Sequence, residues 1–307
     1  MTKVLISDHT HEVLEQRLRE AGMEVSVEPD HDYESLVRAA QGCDGLVVRS
    51  KVVIDHAFID RVPSLRCIGR VGAGMETIDV DYAKAKGIRC LNSPEGNRDA
   101  VGEHTVGLLL ALLNNIARAD AEVRQGLWRR EANRGHELGN LTVGIIGFGN
   151  MGQAFAKRLQ GFGCRIIFYD IKGINAFNGL DGFKDLKELQ QEADVVSFHV
   201  PLTESTRHYL DDAFIAAMAK PFYLLNTSRG AVVDTEALVR GLESGKVLGA
   251  GLDVMENENM QADALTTINP QLLSCNTVLT PHVAGWTVES KYKLAAVLAD
   301  KIIDCLT

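Results

Sequence analysis

The run Val143-Gly-Ile-Ile-Gly-Phe-Gly-Asn-Met-Gly-Gln-Ala154 decides the fold. An apolar strand, Val143–Ile146, leads directly into Gly147, Gly149 and Gly152, and a helical pattern follows. Each glycine of this G-x-G-x-x-G has its own task. Gly147 permits a tight turn, Gly149 lets the backbone approach a pyrophosphate with no Cβ in the way, and Gly152 lets helix and strand pack closely. The free N–H groups of the first helical turn then face the anion, with the positive end of the helix dipole behind them. Asp170 ends the next strand, Ile166-Ile-Phe-Tyr-Asp170. A carboxylate there accepts hydrogen bonds from an adenosine ribose and repels a 2′-phosphate, which favours NAD over NADP. The ordinary alternative is a glycine turn with a surface acid. It loses ground because strand, helix and acid all stand where a dinucleotide needs them.

Outward from this motif the chain alternates short β-rich runs with amphipathic stretches, the signature of parallel strands joined by crossover helices. Strands are predicted at Lys3–Ser7, Glu24–Val27, Gly45–Val48 and Cys67–Val71, with helices near Glu12–Ala21, Tyr33–Ala40 and Ala57–Val62. A second series has strands at Val143–Ile146, Arg165–Tyr169, Val195–Val200, Tyr223–Asn226 and Leu248–Asp253. Between the two, Asp99–Arg124 reads as one continuous helix, roughly 39 Å long at 1.5 Å per residue, which would connect two domains. The last helix, Val288–Ile303, is expected to return and cover the first unit. The expected domains are 1–96 with 287–307, and 97–286, in keeping with a length of 307 residues.

The composition narrows the function. With 46% apolar and 24% charged residues the chain can bury a sizeable core. A formal charge of -9 gives no reason to approach nucleic acid or an anionic membrane. Cys43, Cys67, Cys90, Cys164, Cys275 and Cys305 are scattered, so they read as reduced small hydrophobes, and no metal site is expected. The N-terminal apolar run is too short for a signal peptide, and a cytoplasmic protein is expected. The apolar stretch Val106–Ile116 falls short of the ~20 residues that span a bilayer and reads as a buried helix.

Three polar residues stand at strand ends of the second series, where open α/β sheets place ligands: Arg229, Asp253 and His282. Glu258 follows in a polar loop. Reduction of a 2-keto acid needs a hydride at the carbonyl carbon, a proton for its oxygen and a cation for the carboxylate. His282 can carry the proton, Glu258 can fix its ring, and Arg229 can grip carboxylate and keto oxygen with its planar fork. Taken singly, each has a plainer reading: a capped loop histidine, a solvated carboxylate, a surface ion pair.

Taken together, the residues closely resemble the D-isomer-specific 2-hydroxyacid dehydrogenases, and within them the phosphoglycerate dehydrogenases. The resemblance covers almost the whole chain. It includes Gly72-Ala-Gly-Met-Glu-Thr-Ile-Asp79, Asn92-Ser-Pro, Ala100-Val-Gly-Glu-His104, the glycine turn, His199-Val-Pro-Leu-Thr-Glu-Ser-Thr206, Asn226-Thr-Ser-Arg-Gly230, Gly251-Leu-Asp-Val254 and Pro281-His-Val-Ala-Gly285. It implies an α/β protein of two Rossmann-like domains with parallel sheets, the NAD domain inserted into a flavodoxin-like substrate domain, with ligands in the cleft. It implies an Arg229, Glu258 and His282 catalytic set. Asn150 and Met151 would then lie at the pyrophosphate, Val200, Pro201 and Thr206 along the adenosine, and Thr227 and Asp253 beside the nicotinamide. The loop Gly72, Ala73 and Gly74 would offer N–H groups to the substrate carboxylate, with Arg49 and Ser50 opposite. Arg49, Lys51 and Arg70 are candidate cations for a substrate phosphate, or simply solvated strand ends.

The chain also departs from the family. Asn259 stands where proline usually follows the catalytic glutamate, so the polar stretch to Asn276 is expected to be more mobile. The sequence ends at Thr307, and feedback by serine through a regulatory C-terminal domain is not expected. The resemblance makes D-3-phosphoglycerate the expected substrate, as in serine biosynthesis, with glyoxylate or hydroxypyruvate as the alternative. A rival class is the non-catalytic, NAD-sensing module of corepressors that share this fold. The resemblance also implies a homodimer through Val101–Asn140, with Trp128, Arg129, Arg130 and Arg134 as candidate contacts.

Overall fold

Short apolar runs build the first sheet. In the computed structural model, which describes residues 1–173, 176–177, 180–183, 185–258, 269–274 and 276–307, the strands are β1 (Lys3–Ile6), β2 (Glu24–Val27), β3 (Gly45–Val48), β4 (Cys67–Arg70) and β5 (Arg89–Asn92). All pair in parallel, in the order β2-β1-β3-β4-β5. This is the flavodoxin-like order. Helices α1 (Val13–Glu20), α2 (Tyr33–Ala39), α3 (His56–Arg61) and α4 (Val80–Ala85) make the crossovers. Asp32, Asp55 and Asp79 start three of them by accepting the amides of Ser35, Phe58 and Tyr82, which satisfies donors the helices themselves leave open.

The second unit, Asp99–Gly285, opens with α5 (Arg98–Leu113) and α6 (Ile116–Arg124). Here the structure corrects the sequence reading of one 99–124 helix. Asn115 takes a left-handed backbone, φ 53°, which asparagine tolerates better than most residues, and the two helices meet at 61°. Among the described residues no single helix is long and apolar enough to cross a membrane; α5 and α6 pass only as a bent pair. α5 sinks Leu108, Leu109, Leu112 and Leu113 into a core, whereas α6 buries none of its residues.

The glycine turn follows β6 (Thr142–Ile146) and opens α7 (Asn150–Leu159). Then come β7 (Arg165–Tyr169), β8 (Ala176–Phe177), β9 (Leu180–Phe183), α8 (Leu186–Glu192), β10 (Val195–Phe198), α9 (Asp212–Ala217) and β11 (Phe222–Asn226). The unit finishes with α10 (Thr235–Glu243), β12 (Val247–Leu252), α11 (Pro270–Ser274) and β13 (Thr277–Leu279). The sheet order is β13-β12-β11-β10-β6-β7-β9-β8, parallel except for the β8–β9 pair. Counting from β6, this is a Rossmann order that reverses at β6 and β10, where such sheets bind dinucleotides.

The last helix, α12 (Val288–Leu306), belongs to the first unit, Met1–Arg98 with Trp286–Thr307. It starts at a capping box of Thr287 and Ser290. Ala295, Leu298, Ala299, Ile302 and Leu306 join Val4, Ile6, Val47 and Cys67 in one core on one face of the first sheet. At about 2 kcal/mol for each large side chain removed from water, α12 contributes substantially to that core. Gly69 lets it come close, since a Cβ there would meet Ile302 Cδ1 at 3.0 Å. Cys43, Cys67, Cys90, Cys164 and Cys305 are free thiols, while Cys275 and residues 259–268 of the polar loop lie outside the described residues.

Candidate active site

The glycine turn is built as its three positions require. Gly147 has φ 89°, and a Cβ on it would lie 2.5 Å from the His199 carbonyl oxygen. A Cβ on Gly152 would lie 2.2 Å from the Gly147 carbonyl oxygen. Both are therefore fixed by close backbone approach. Gly149 differs: a Cβ there would meet nothing within 4 Å, so no packing demands glycine, and the open space suits a ligand. It is the N-cap of α7 and supplies no side-chain cap, so Asn150 and Met151 begin the helix without a capping side chain. The Asp170 carboxylate sits beside the turn, Oδ2 accepting the Phe148 amide at 2.7 Å and Oδ1 the Lys172 amide at 2.8 Å. A carboxylate has about four lone-pair sites, so hydroxyls can still be accepted.

Val200 and Pro201 follow β10, and the Thr206 hydroxyl closes their loop by donating to the Pro201 carbonyl at 2.6 Å. Burial pushes the His199 imidazole down to about 3, so it is neutral; Ser197 Oγ lies 2.8 Å from its Nε2.

Arg229 is set by the end of β11. Asn226 is fully buried; its Nδ2 donates to the Arg229 carbonyl at 2.9 Å, and its Oδ1 accepts the amide and hydroxyl of Ser228 at 3.0 and 2.7 Å. That side-chain turn holds residues 226–229 in one shape. The half-buried Arg229 donates through Nη1 to the Ser228 carbonyl at 2.6 Å. Gly230 then admits the chain after β12: a Cβ on it would lie 1.8 Å from the Met255 carbonyl oxygen.

That neighbouring chain carries Glu258, whose Oε1 lies 2.9 Å from His282 Nδ1. Because a carboxylate only accepts, Nδ1 carries the hydrogen, and Nε2 is the ring nitrogen left for other chemistry. The side chains are 29% and 35% exposed. Two residues earlier, Glu256 anchors the loop to His208 Nε2 at 2.5 Å and to the Thr235 amide at 3.1 Å. Burial pushes the Glu256 carboxyl up, but these hydrogen bonds outweigh it and hold it below the usual range.

His282 has φ 55°, a left-handed backbone that a non-glycine residue adopts at a cost of about 1–3 kcal/mol. Asp253 holds it there. The Asp253 carbonyl accepts the His282 amide at 2.7 Å, and its carboxylate accepts Thr280 Oγ1 at 2.6 Å and the amides of Val283 and Ala284 at 2.9 Å each. The resemblance assigned Asp253 to the nicotinamide. In the structure its side chain is 1% exposed and bound to this loop, so its first task is to shape residues 280–284. Thr227 Oγ1 lies 3.2 Å from Thr105 Oγ1 of α5. His104 and Thr280 also meet here, at 3.0 Å; neither stood out in the sequence as a site residue, because 176 positions separate them.

In the first unit, Arg49 lies with its guanidinium 5.3 Å from the Trp286 ring centre, and Ser50 beside it is exposed. Lys51 pairs with Asp30 at 2.9 Å. Gly72 has φ 153°, and a Cβ on it would meet Arg70 Nη1 at 2.1 Å. The Ala73 carbonyl accepts Asn92 Nδ2 at 2.6 Å, which steadies the stretch through Gly74. Among the described residues no group of three His, Cys, Asp or Glu could hold a metal ion.

Residues 106–284 match the model of the D-isomer specific 2-hydroxyacid dehydrogenase, NAD binding domain. The chain belongs to this family. As a D-isomer specific 2-hydroxyacid dehydrogenase it is an oxidoreductase acting on a CH–OH donor, with NAD(P) as cofactor. Over 281 residues it is 40% identical to the hydroxypyruvate reductase of Thermotoga maritima, covering 91% of this chain and 90% of that one. It is 37% identical to the D-3-phosphoglycerate dehydrogenase of Methanocaldococcus jannaschii over 98% of this chain but only 57% of that protein. Among solved structures, the D-lactate dehydrogenase of Aquifex aeolicus complexed with NAD and lactic acid matches with a TM-score of 0.82 and 28% identity, over 98% of this chain and 94% of that one.

Proposed function

We propose that this dehydrogenase uses NAD to interconvert a small 2-keto acid and its D-2-hydroxy acid, with His282 as acid–base, Glu258 as its orienting partner and Arg229 as the carboxylate grip. The observation that carries this reading is the 2.9 Å hydrogen bond between His282 Nδ1 and Glu258. The cofactor, when bound, would supply or take up the hydride at the 2-carbon. In the reducing direction His282 gives a proton to the keto oxygen, and in the oxidising direction it takes one from the hydroxyl. Arg229 can hold a carboxylate with two parallel N–H groups, fixing the face presented to the cofactor. Glu258 keeps the imidazole in one tautomer and orientation, the part a carboxylate plays beside a working histidine.

For the substrate, we favour an unphosphorylated keto acid of hydroxypyruvate or glyoxylate size. Of the three cations considered for a phosphate, Arg49, Lys51 and Arg70, two are engaged elsewhere: Lys51 pairs with Asp30 and Arg49 stacks on Trp286. The relative matched over 90% of its own length is named a hydroxypyruvate reductase. Phosphoglycerate is the second reading, supported by the 37% identity to a phosphoglycerate dehydrogenase over 98% of this chain. Purified protein should consume NADH with hydroxypyruvate or glyoxylate. Turnover of 3-phosphoglycerate with NAD alone, and none with the keto acids, selects the second reading; silence in both assays sinks the function.

Cofactor choice rests on Asp170. Replacing it by serine removes the charge that repels a 2′-phosphate. The ratio of kcat/KM for NADH over NADPH should then fall about tenfold or more, a difference of about 1.4 kcal/mol. An unchanged ratio removes Asp170 as the selector.

A further inference from the structure

Helix α5 brings a second imidazole to the residues that hold His282. Leu108 of α5 packs at Gly251 of β12, where a Cβ would meet Leu108 Cβ at 3.1 Å and Leu225 Cδ2 at 2.8 Å. Four residues back along the helix, His104 occupies the same helix face. Two residues on along the strand, Asp253 occupies the same strand face. The close approach that Gly251 allows therefore brings His104 to Asp253. Its Nε2 lies 3.0 Å from Thr280 Oγ1 and 3.5 Å from Asp253 Oδ1.

The direction of these hydrogen bonds follows from the donor count. A hydroxyl has one hydrogen, and Thr280 gives it to the Asp253 carboxylate at 2.6 Å. Toward His104 the Thr280 oxygen can therefore only accept, so His104 Nε2 carries a hydrogen. The chain runs from His104 through Thr280 to Asp253, and Asp253 holds the amides of His282, Val283 and Ala284. The neighbouring residue on α5, Thr105, meets Thr227 at 3.2 Å.

We propose that His104 is a positioning residue for the reaction: its Nε2–H fixes the Thr280 hydroxyl on Asp253 and so holds the left-handed turn that presents His282. This rests on the reading of His282 as the acid–base. A side chain that only filled space beside α5 would need no donor.

The test compares His104→Gln, which keeps an N–H at similar reach, with His104→Phe, which keeps the ring volume and loses the donor. With NADH and whichever keto acid the wild type turns over, His104→Phe should lose about tenfold in kcat, and His104→Gln should stay within about threefold of wild type. KM and the dissociation constant for NADH should move less than about twofold in both. Thr280→Val should reproduce the Phe loss, and the double variant should lose no more than either single one, as expected for one chain of contacts. Wild-type kcat in His104→Phe, equal damage in His104→Gln and His104→Phe, or losses that multiply in the double variant each overturn the proposal. Should His104→Phe fail to fold, Thr280→Val alone decides, wild-type kcat overturning the proposal. His282→Asn assayed alongside separates the two levels: if it is inactive while His104→Phe is normal, only the His104 role falls; if it is fully active, the reading of the site falls.

Discussion

Replacing His282 by asparagine is expected to lower turnover by about 10²-fold or more, the contribution of a positioned acid–base, while NADH binding survives. Asparagine is a cleaner probe than alanine. Position 282 has φ 55°, and asparagine adopts that conformation at lower cost than alanine, so the turn held by Asp253 stays in place. The loss then reports chemistry and not a collapsed loop. Cofactor binding is predicted to persist because the glycine turn, Asp170 and the Thr206 loop belong to other segments of the sheet. Single-turnover reduction with NADH measures the chemical step, and fluorescence titration measures the cofactor. Undiminished single-turnover rates would remove His282 from the mechanism.

Replacing Arg229 by glutamine should cost more in kcat/KM, on the order of 10³-fold. Two charge-assisted hydrogen bonds at about 2 kcal/mol each are lost, and about 1.4 kcal/mol is a decade in rate. Lysine should recover only part, because an ammonium cannot reproduce the planar fork. The turn itself is insulated from the change. Asn226 holds the Arg229 backbone carbonyl at 2.9 Å, so residue 229 keeps its place whatever side chain it carries. The deciding measurement is kcat/KM across a set of 2-keto acids and matched ketones without the carboxylate. If the variant loses equally on both, Arg229 does not grip the carboxylate.

Much of this was legible in the sequence, and the parts that were not share a cause. The glycine turn and Asp170 are local, so strand, turn, helix and acid could be read from one stretch. Arg229, Asp253 and His282 were visible because each closes an apolar strand. What Asp253 does there was not. An acid at a strand end reads the same whether it faces a cofactor or holds its own loop, and its hold on the loop becomes visible only through the amides of Val283 and Ala284. The bend between α5 and α6 was hidden for a different reason: Ile116 continues the apolar pattern, and an asparagine pair interrupts it only weakly. β5 has only Cys90 and Leu91 as apolar residues between Arg89 and Asn92 and none of the four is fully buried, so it did not stand out beside Asn92-Ser-Pro. His104 and Thr280 meet only because Gly251 lets a helix approach a strand, a tertiary fact with no local signature.

The return of α12 to the first unit has a consequence for how the polypeptide is made. Residues 1–98 are made before α12, yet one face of their sheet is covered only in part, by Val13, Leu14 and Leu18 of α1, until Ala295, Leu298 and Ile302 emerge. At roughly 5–20 residues per second that delay is on the order of tens of seconds. Through that interval Val4, Ile6 and Val47 lack part of their apolar cover, whereas the inserted unit receives its last strand, β13, before α12 emerges. The half synthesised first is thus the half completed last, and nascent chains paused before α12 should be the species that chaperones and proteases meet.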